Sequence, residues 1–307
     1  MRYVVTGATG PVGRALVRSL ADTNDRVVVL SRRPARARGV LPEGVTVTAW
    51  SGLPGDEIGP ALAGADAVIN LAGAGIGSRP WTARRKSDIL TSRVAATDSL
   101  VRAIAGLAPA DRPRALINAS GIDIYGDHAD GVWTESSPAG DTFLAGVCKA
   151  WEGAAAPAAA LGVRVVCVRT ALVVAADAAA FRLLALPIRL FVGGPLGSGR
   201  QLFTWIHIDD LAGLYRLAAT DSTLAGPLNA VAPEVASEAD AARTIGDLLH
   251  RPTRLRVPAV LLRAVLHGQA DVLLHGRRAE PAVALSHGYE FRFPTMRAAF
   301  ADALGRS

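Results

Sequence analysis

Residues 6–13 read TGATGPVG, a glycine-rich pattern from which the class of fold can be inferred. It follows a short apolar run, YVVTG (3–7), and opens a helical pattern over residues 11–21. The first glycine allows a tight turn, the second lets the backbone approach a pyrophosphate, and the third lets the helix pack closely against a strand. Because the helix N-terminus then faces the phosphates, the context favours dinucleotide binding over a purely structural turn. The predicted cofactor contacts of this loop are Thr6, Gly7, Thr9, Gly10, Pro11, Val12 and Gly13.

The second apolar run ends in LSRRP (30–34), where an NAD enzyme usually carries an acid for the ribose diol. Here that place is taken by Ser31, followed by Arg32 and Arg33. An acid would repel a 2′-phosphate, whereas arginine can fork onto it and stack on adenine. A charge-assisted pair contributes about 1.5–3 kcal/mol, which favours NADP over NAD roughly ten- to a hundredfold. A basic surface loop is the alternative, but with TGATGPVG upstream the sequence predicts NADP.

Apolar runs typical of strands buried on both faces recur along the first half of the chain, at residues 3–7, 26–31, 45–50, 67–73, 115–120 and 164–170. Helical patterns lie between several of them, at residues 11–21, 84–106 and 142–161. This alternation predicts an α/β fold, a doubly wound Rossmann sheet of parallel strands with helices on both faces.

The alternation fades after about residue 172, and a Gly/Pro-rich loop, GGPLGSGRQ (193–201), follows. The last seventy or so residues are mostly helical in pattern. We therefore expect an NADP-binding Rossmann domain over residues 1–175, to which 203–233 return. Residues 176–202 and 234–307 would form a smaller, mostly helical substrate lobe over the carboxyl ends of the strands, where open α/β sheets bind ligands. In that loop Arg200 is the candidate contact for an anionic substrate, or a surface arginine of a flexible connector.

Composition restricts the class of protein. The net charge is +6, but RRPARARG (32–39) is the only dense basic run and no aromatics interleave with it, so we expect no nucleic-acid partner. The two cysteines do not make a disulfide framework, and the chain starts directly with a strand pattern, so we expect a cytoplasmic protein. No charge-free apolar stretch reaches membrane-spanning length and no metal motif is present, so we expect neither a membrane partner nor a metal. A small-molecule substrate is expected, and a homodimer stays open.

Several motifs together resemble one family. They are TGATGPVG, NLAG (70–73), the SR pair at 92–93, YGD (125–127), GGPLGSGRQ, WIHIDDL (205–211), LNAVAPE (228–234) and GQAD…GYEFRFPT (268–295). The chain resembles the YfcH-like, or SulA-like, NAD(P)-dependent epimerase family of atypical extended short-chain dehydrogenase/reductases over nearly its whole length. The resemblance implies a Rossmann domain, a nicotinamide cofactor and a small C-terminal substrate lobe, without naming a substrate. It also implies cofactor contacts at Leu71, Ala72, Gly73 and Arg93.

The wider superfamily carries a YxxxK pair on a helix, in which the tyrosine exchanges a proton with the substrate and the lysine holds the nicotinamide ribose. The corresponding stretch here, FLAGVCKAWE (143–152), contains no tyrosine. With Glu152 as the anchor, Cys148 takes the lysine position and Leu144 the tyrosine position, on one helical stripe.

With Lys149 as the anchor, the tyrosine position is Ala145, and Lys149 lies about 100° of helix from the expected face. Neither register restores the pair. We interpret Cys148 as a small packed core residue rather than a nucleophile, because nothing nearby in sequence marks it as activated.

The preceding strand pattern ends in NASGIDIYG (118–126), at the carboxyl end of a central strand. In the superfamily, a Ser or Thr four residues before the tyrosine of this segment, here Tyr125, polarises the substrate oxygen. In this chain Gly121 holds that place, with Ser120 beside it. The candidate catalytic residues are therefore Ser120, Asp123 and Tyr125. Each has a structural alternative, since Asp123 can cap the next turn and Tyr125 can be a packing ring.

A second tempting pair is His207 and Asp209, which point the same way in an extended segment. The resemblance favours a structural role instead, with Asp209 or Asp210 capping a helix that starts at Leu211.

Three functions stay open from the sequence. The first is an NADP-dependent oxidoreductase or epimerase acting on a small polar molecule, with Ser120, Asp123 or Tyr125 supplying or polarising the proton. The second is a non-catalytic NADP-binding sensor or partner protein, which the missing YxxxK pair favours. The third is a lyase or cyclase that retains NADP as a structural element.

Overall fold

The computed structural model describes residues 1–23, 25–77, 80–127 and 131–305. Its centre is a seven-stranded sheet formed by β1 (Arg2–Thr6), β2 (Arg26–Ser31), β3 (Thr46–Ala49), β4 (Ala67–Asn70), β5 (Ala115–Gly121), β7 (Arg164–Thr170) and β11 (Gly226–Ala230). All neighbours pair in parallel, in the order β11-β7-β5-β4-β1-β2-β3. The strand order reverses beside β1, as in a doubly wound Rossmann fold, and the predicted fold class is confirmed.

Helices cover both faces of this sheet. The first half contributes α1 (Pro11–Ala21), α2 (Pro34–Arg38), α3 (Gly59–Leu62), α4 (Ala83–Ala105) and α5 (Phe143–Ala155). Thr142 caps α5 by accepting from the Ala145 amide at 3.2 Å. A 3-10 turn over Ala156–Leu161 then replaces the rest of the helix expected to residue 161, because Pro157 lacks the amide hydrogen that an α-helix needs.

Six short strands of the described chain lie outside the main sheet, in three separate pairs, and four of them precede the C-terminal part. These four are β6 (Val132–Trp133), β8 (Leu172–Val174), β9 (Leu202–Phe203) and β10 (Trp205–His207), and β8 pairs with β10 in parallel. From the C-terminal part, β12 (Ala236–Ser237) pairs with β9 and β13 (Arg278–Ala279) pairs with β6.

The remaining helices are α6 (Ala179–Arg189), α7 (Ile208–Thr220), α8 (Glu238–Leu249), α9 (Ala259–Leu266), α10 (Ala270–Leu274), α11 (Ala282–Ser286) and α12 (Met296–Ala303). Of these, α6, α8 and α12 share a separate apolar core built around Phe181, Ile245 and Phe300. This core is the mostly helical C-terminal lobe. Among the described residues, no helix is both long enough and apolar enough to cross a membrane.

One part of the expected lobe packs elsewhere. Ala279 and Ala284 are buried in the core of the Rossmann part, and β13 extends from the lobe to pair with β6. The C-terminal segment therefore reaches across to the carboxyl ends of the strands. The division at residue 175 stays a prediction.

Candidate active site

The glycine-rich loop forms a tight cradle between β1 and α1. Gly7 has a φ of +65°, a conformation that glycine adopts without strain, and the Gly10 amide donates to its carbonyl at 3.1 Å. A Cβ on Gly13 would lie 2.5 Å from Ala8 Cα, so only glycine lets α1 approach this closely. No side chain caps the helix, which leaves its first amide groups free for an anion. The cradle therefore fits a pyrophosphate.

Thr6 was predicted to contact the cofactor, and the structure shows why its side chain cannot. The residue is fully buried, and its hydroxyl donates to Asn70 Oδ1 at 2.7 Å. Thr6 Oγ1 in turn accepts hydrogen bonds from the amides of Leu71 and Ala72, each at 3.1 Å. Thr6 thus ties the loop after β4 to the glycine-rich loop and positions both.

Arg93 has a similar supporting place. It is buried on α4, donates to the carbonyl oxygens of Ala74 at 2.9 Å and Ile89 at 3.0 Å, and lies 4.8 Å above the Trp151 ring. Burial lowers its pKa from the ordinary value. Gly73 leaves room for this side chain, since a Cβ there would lie 3.1 Å from Arg93 Cγ and 3.2 Å from Cζ of its guanidinium. Arg93 therefore shapes the loop at residues 73–74.

The end of β2 presents two free cations. Ser31 Oγ accepts from the Arg33 amide at 3.2 Å, which turns the chain after the strand. Arg32 and Arg33 are exposed, and within the described ranges neither guanidinium has a hydrogen-bond partner. A 2′-phosphate could therefore take both side chains without displacing a protein carboxylate.

On the other side of the sheet centre, Ser120 ends β5 in a buried ion-pair network. Its hydroxyl donates to Glu152 Oε1 at 2.7 Å. Arg169 Nε and Nη2 also donate to Glu152, each at 2.9 Å. Because Ser120 already donates its proton, its oxygen is left to accept a hydrogen bond from a substrate hydroxyl.

The structure contradicts the catalytic candidacy of Tyr125. Its ring is fully buried and stacks on Trp133, its hydroxyl donates to Asn229 Oδ1 at 2.7 Å, and Arg169 Nη1 donates to that hydroxyl at 3.0 Å. Burial raises its pKa above the ordinary value. Tyr125 is a packing ring inside the Arg169 network, because the 3-10 turn Ile122–Tyr125 rotates it away from the sheet edge.

Asp123 is the partly exposed carboxylate of this strand end. Its Oδ1 accepts from Arg277 Nη1 at 2.9 Å, and its side chain keeps 20% of its surface exposed. Oδ2 lies 3.2 Å from where a Gly121 Cβ would stand, and Cys148 Sγ lies 3.5 Å from the same point. The side chain pairs with Arg277 rather than capping the turn, whose bond runs from the Gly126 amide to the Asp123 carbonyl.

Arg277 is the site residue that sequence reasoning missed. It is 6% exposed, pairs with Asp123, and donates to Asp127 Oδ1 at 3.2 Å. Its backbone is fixed by Thr204, which donates to the Arg277 carbonyl. Arg277 lies 154 residues from Asp123 along the chain, so no local sequence pattern could indicate that the two side chains pair.

The stripe on α5 agrees with the packed-core interpretation. Leu144 is 7% exposed and Cys148 is 5% exposed. Burial, followed by the negative charge of Asp123, raises the pKa of Cys148 to about 12, so the thiol stays protonated at neutral pH. Lys149 is exposed on another face of the helix.

The WIHIDDL segment has a structural role, although the predicted cap is wrong. The helix α7 begins at Ile208 rather than Leu211, and His207 Nδ1 accepts from the Asp209 amide at 3.2 Å. Asp210 is buried and instead accepts from the amides of Arg292 and Phe293. It thereby fastens the C-terminal segment to α7.

Arg200 is exposed at the end of the glycine-rich 193–201 loop, and its amide donates to Ser198 Oγ at 3.2 Å. Its substrate role stays a prediction. Among the described residues, no group of three His, Cys, Asp or Glu side chains could hold a metal ion.

Several known proteins are similar to this chain over nearly its whole length. The mouse epimerase family protein SDR39U1 is 37% identical over 99% of this chain and 100% of that protein. A chloroplastic SDR39U1 homologue of Arabidopsis thaliana is 36% identical over 95% of this chain and 84% of that protein. The crystal structure of human SDR39U1 with NADPH superposes with a TM-score of 0.88, at 33% identity and with complete coverage of both chains.

Two family profiles together cover most of the sequence. That of the NAD dependent epimerase/dehydratase family matches residues 3–229, and that of a domain of unknown function, DUF1731, matches residues 257–303. The resemblance drawn from the sequence motifs is confirmed: the chain belongs to the NAD dependent epimerase/dehydratase family, among its SDR39U1-like members.

Proposed function

We propose that this protein is an NADP-dependent, epimerase-like oxidoreductase acting on a small polar molecule. The observation that carries the proposal is the partly exposed Asp123 carboxylate at the carboxyl end of β5, on a sheet whose first loop is an intact dinucleotide cradle. In open α/β sheets ligands meet at this edge. The NADPH-bound human relative supports the cofactor assignment.

The chain has candidate groups for the phosphates of NADP. The first amides of α1 would hold the pyrophosphate, and Arg32 with Arg33 would hold the 2′-phosphate. The bound cofactor would donate or accept a hydride at its nicotinamide ring. The buried Leu144 and Cys148 would exclude water from that end of the site without moving a proton.

Proton transfer would then fall to the end of β5. Asp123 would accept a proton from a substrate hydroxyl and return it, and the hydrogen bond from Arg277 to one of its oxygens supports this role. Ser120 would accept a hydrogen bond from the same substrate and thereby orient that substrate, because the Ser120 hydroxyl already donates its own hydrogen bond to Glu152. Arg200 remains our candidate for an anionic group further out on the substrate.

The test follows NADPH absorbance with a panel of carbonyl substrates and NADP with the matching alcohols. On one accepted substrate, Asp123→Asn should lower turnover by about 10²-fold or more and leave NADPH affinity unchanged, since positioned acid–base groups contribute roughly 10²–10⁴-fold. Asp127→Asn is the matched control, because Asp127 is the other carboxylate on Arg277. Equal turnover in wild type and Asp123→Asn would remove the catalytic assignment.

The second candidate is a non-catalytic NADP-binding protein. It is favoured by Leu144 and Cys148 in the YxxxK positions and by the burial of Tyr125. Tight NADPH binding without turnover on the whole panel would support this second candidate. The same result would also fit a lyase or cyclase that keeps NADP as a structural element. Two free buried cysteines, Cys148 and Cys167, support our proposal of a reducing, cytoplasmic location.

A further inference from the structure

Large apolar side chains are exposed together on two segments of the C-terminal lobe. Within residues 183–192 and 255–261 they are Leu183, Leu186, Leu190, Phe191, Val192, Leu255, Val260 and Leu261, from 45% exposed at Leu183 to 78% at Val260. Eight such side chains within two short segments exceed the scattered single ones that are normal on a protein surface. We name the exposed side chains of residues 179–192 and 251–261, apolar and basic together, the apolar-basic surface.

The two segments are fastened to each other. The Arg251 guanidinium lies 4.3 Å from the centre of the Phe191 ring. The Gly197 amide donates to the Val257 carbonyl, and the Val257 amide donates to the Pro195 carbonyl, each at 2.9 Å. The two segments are therefore held next to each other where Phe191 meets Arg251 and where residues 195–197 pair with Val257.

The helix α6 is apolar on both sides. Phe181, Leu184 and Ile188 are buried in the lobe core. Leu183 and Leu186 point outward, one turn apart, and are about half exposed. Only the first set is explained by folding, so the second set needs another reason.

The charge on these segments has one sign. Residues 179–192 and 251–261 contain no Asp or Glu. Five exposed arginines stand among the apolar side chains: Arg182, Arg189, Arg251, Arg254 and Arg256. The order along the chain is interleaved, as in RLRVP (254–258). A partner must therefore offer negative charge and apolar volume over the same area.

We propose that the apolar-basic surface binds peripherally to a bilayer containing anionic lipids. Protein interfaces gather apolar side chains at the centre and leave charges at the rim, whereas here arginines and leucines alternate. At a bilayer surface, leucines can enter the acyl boundary while arginines reach the headgroups. A second copy of this chain is disfavoured, because self-pairing would bring like charges together. The expectation of no membrane partner rested on spanning segments, which such a surface does not need.

The test is sedimentation of the full chain with phosphatidylcholine vesicles and with vesicles of 70% phosphatidylcholine and 30% phosphatidylglycerol. We expect binding only to the second kind, and its loss in 0.5 M NaCl, where charge attraction is screened. Arg254→Glu/Arg256→Glu should weaken partitioning by about 25-fold or more, since each basic residue near an anionic leaflet contributes roughly fivefold. Leu186→Ser/Leu190→Ser should weaken it roughly tenfold.

Matched controls are Leu53→Ser/Leu285→Ser, which alter leucines of similar exposure elsewhere, and Arg102→Glu/Arg114→Glu, which make the same charge change at the amino edge of the sheet. Both should bind like wild type, and thermal unfolding should show all four variants folded. No binding to the anionic vesicles, or equal loss in the controls, would overturn the proposal. So would binding to soluble polyglutamate that tolerates the leucine changes, which would indicate an acidic protein partner. None of these outcomes depends on the proposed reaction.

Discussion

The cofactor cradle and the proposed acid–base end of the site lie on the same edge of one sheet, yet only the cradle keeps the residue pattern of the wider superfamily. In the cradle, Gly7 and Gly13 keep the close backbone contacts of a dinucleotide loop. At the proposed acid–base end, Leu144 and Cys148 take the tyrosine and lysine positions when Glu152 is the anchor, and the ion pair between Glu152 and Arg169 is largely buried. Cofactor binding and the proposed proton transfer therefore depend on separate residues, which separate substitutions can test.

The strongest way to sharpen the contrast is to break the Arg169 network. Arg169→Met would leave Glu152 and Tyr125 without their main partner in a mostly buried setting, which typically costs about 3–5 kcal/mol. We expect that loss in urea unfolding, with NADPH affinity of the folded protein retained.

The matched control is Arg243→Met, which removes an exposed pair with Asp240 and should cost less than about 1 kcal/mol. The double variant Glu152→Leu/Arg169→Met should recover part of the loss, because no buried charge is then left alone. Equal losses in Arg169→Met and Arg243→Met would show that the network does not hold this end together.

The complementary change strikes the cradle. Gly13→Ala would place a Cβ 2.5 Å from both Ala8 Cα and the Gly7 carbonyl oxygen, so α1 must shift. Overpacking of this kind costs about 1–3 kcal/mol, and we expect the NADPH dissociation constant to rise about ten- to a hundredfold in isothermal titration. Gly146→Ala is the control, because that α5 position has open space for a methyl group. Unchanged affinity in Gly13→Ala would mean that the cofactor does not use this helix terminus.

The same contrast explains what the sequence could and could not predict. The cradle is contiguous, so glycine spacing and strand–loop–helix order were enough to predict it. The acid–base end is assembled from distant segments: Tyr125 meets Asn229 across 104 residues, and Asp123 meets Arg277 across 154. One signal was available, since an arginine inside a buried parallel strand, as at Arg169, must find a carboxylate partner.

A smaller effect tests the cofactor preference. Arg32→Ala should remove most of an NADPH-over-NADH preference of roughly ten- to a hundredfold, because a charge-assisted phosphate contact contributes about 1.5–3 kcal/mol. NADH affinity should change little, and isothermal titration with both cofactors measures the two values. Arg36→Ala, an exposed arginine of the neighbouring α2, serves as the control. An NADH preference in wild type would refute the role of Arg32.

The smallest expected effect concerns Cys148, which lies where the two regions meet. Burial and the negative charge of Asp123 raise the pKa of Cys148 to about 12, so the thiol stays protonated in the folded protein at neutral pH. In the unfolded chain the pKa of a cysteine thiol is about 8.5. The folded state thus holds the proton more tightly, so this contribution to stability is complete below about pH 8.5 and is lost as the pH rises toward 12. Cys148→Ala should be about 1 kcal/mol less stable than wild type at pH 7. Each pH unit above the unfolded pKa costs wild type about 1.4 kcal/mol, so in urea unfolding the gap should close at about pH 9 and reverse at higher pH. Turnover and NADPH affinity should stay within about twofold of wild type, because an enclosed thiol whose pKa is raised to about 12 does not release its proton near neutral pH. The matched variant is Cys167→Ala, whose thiol is also buried with a pKa raised to about 12. A loss of turnover in Cys148→Ala but not in Cys167→Ala would return the proton chemistry to α5.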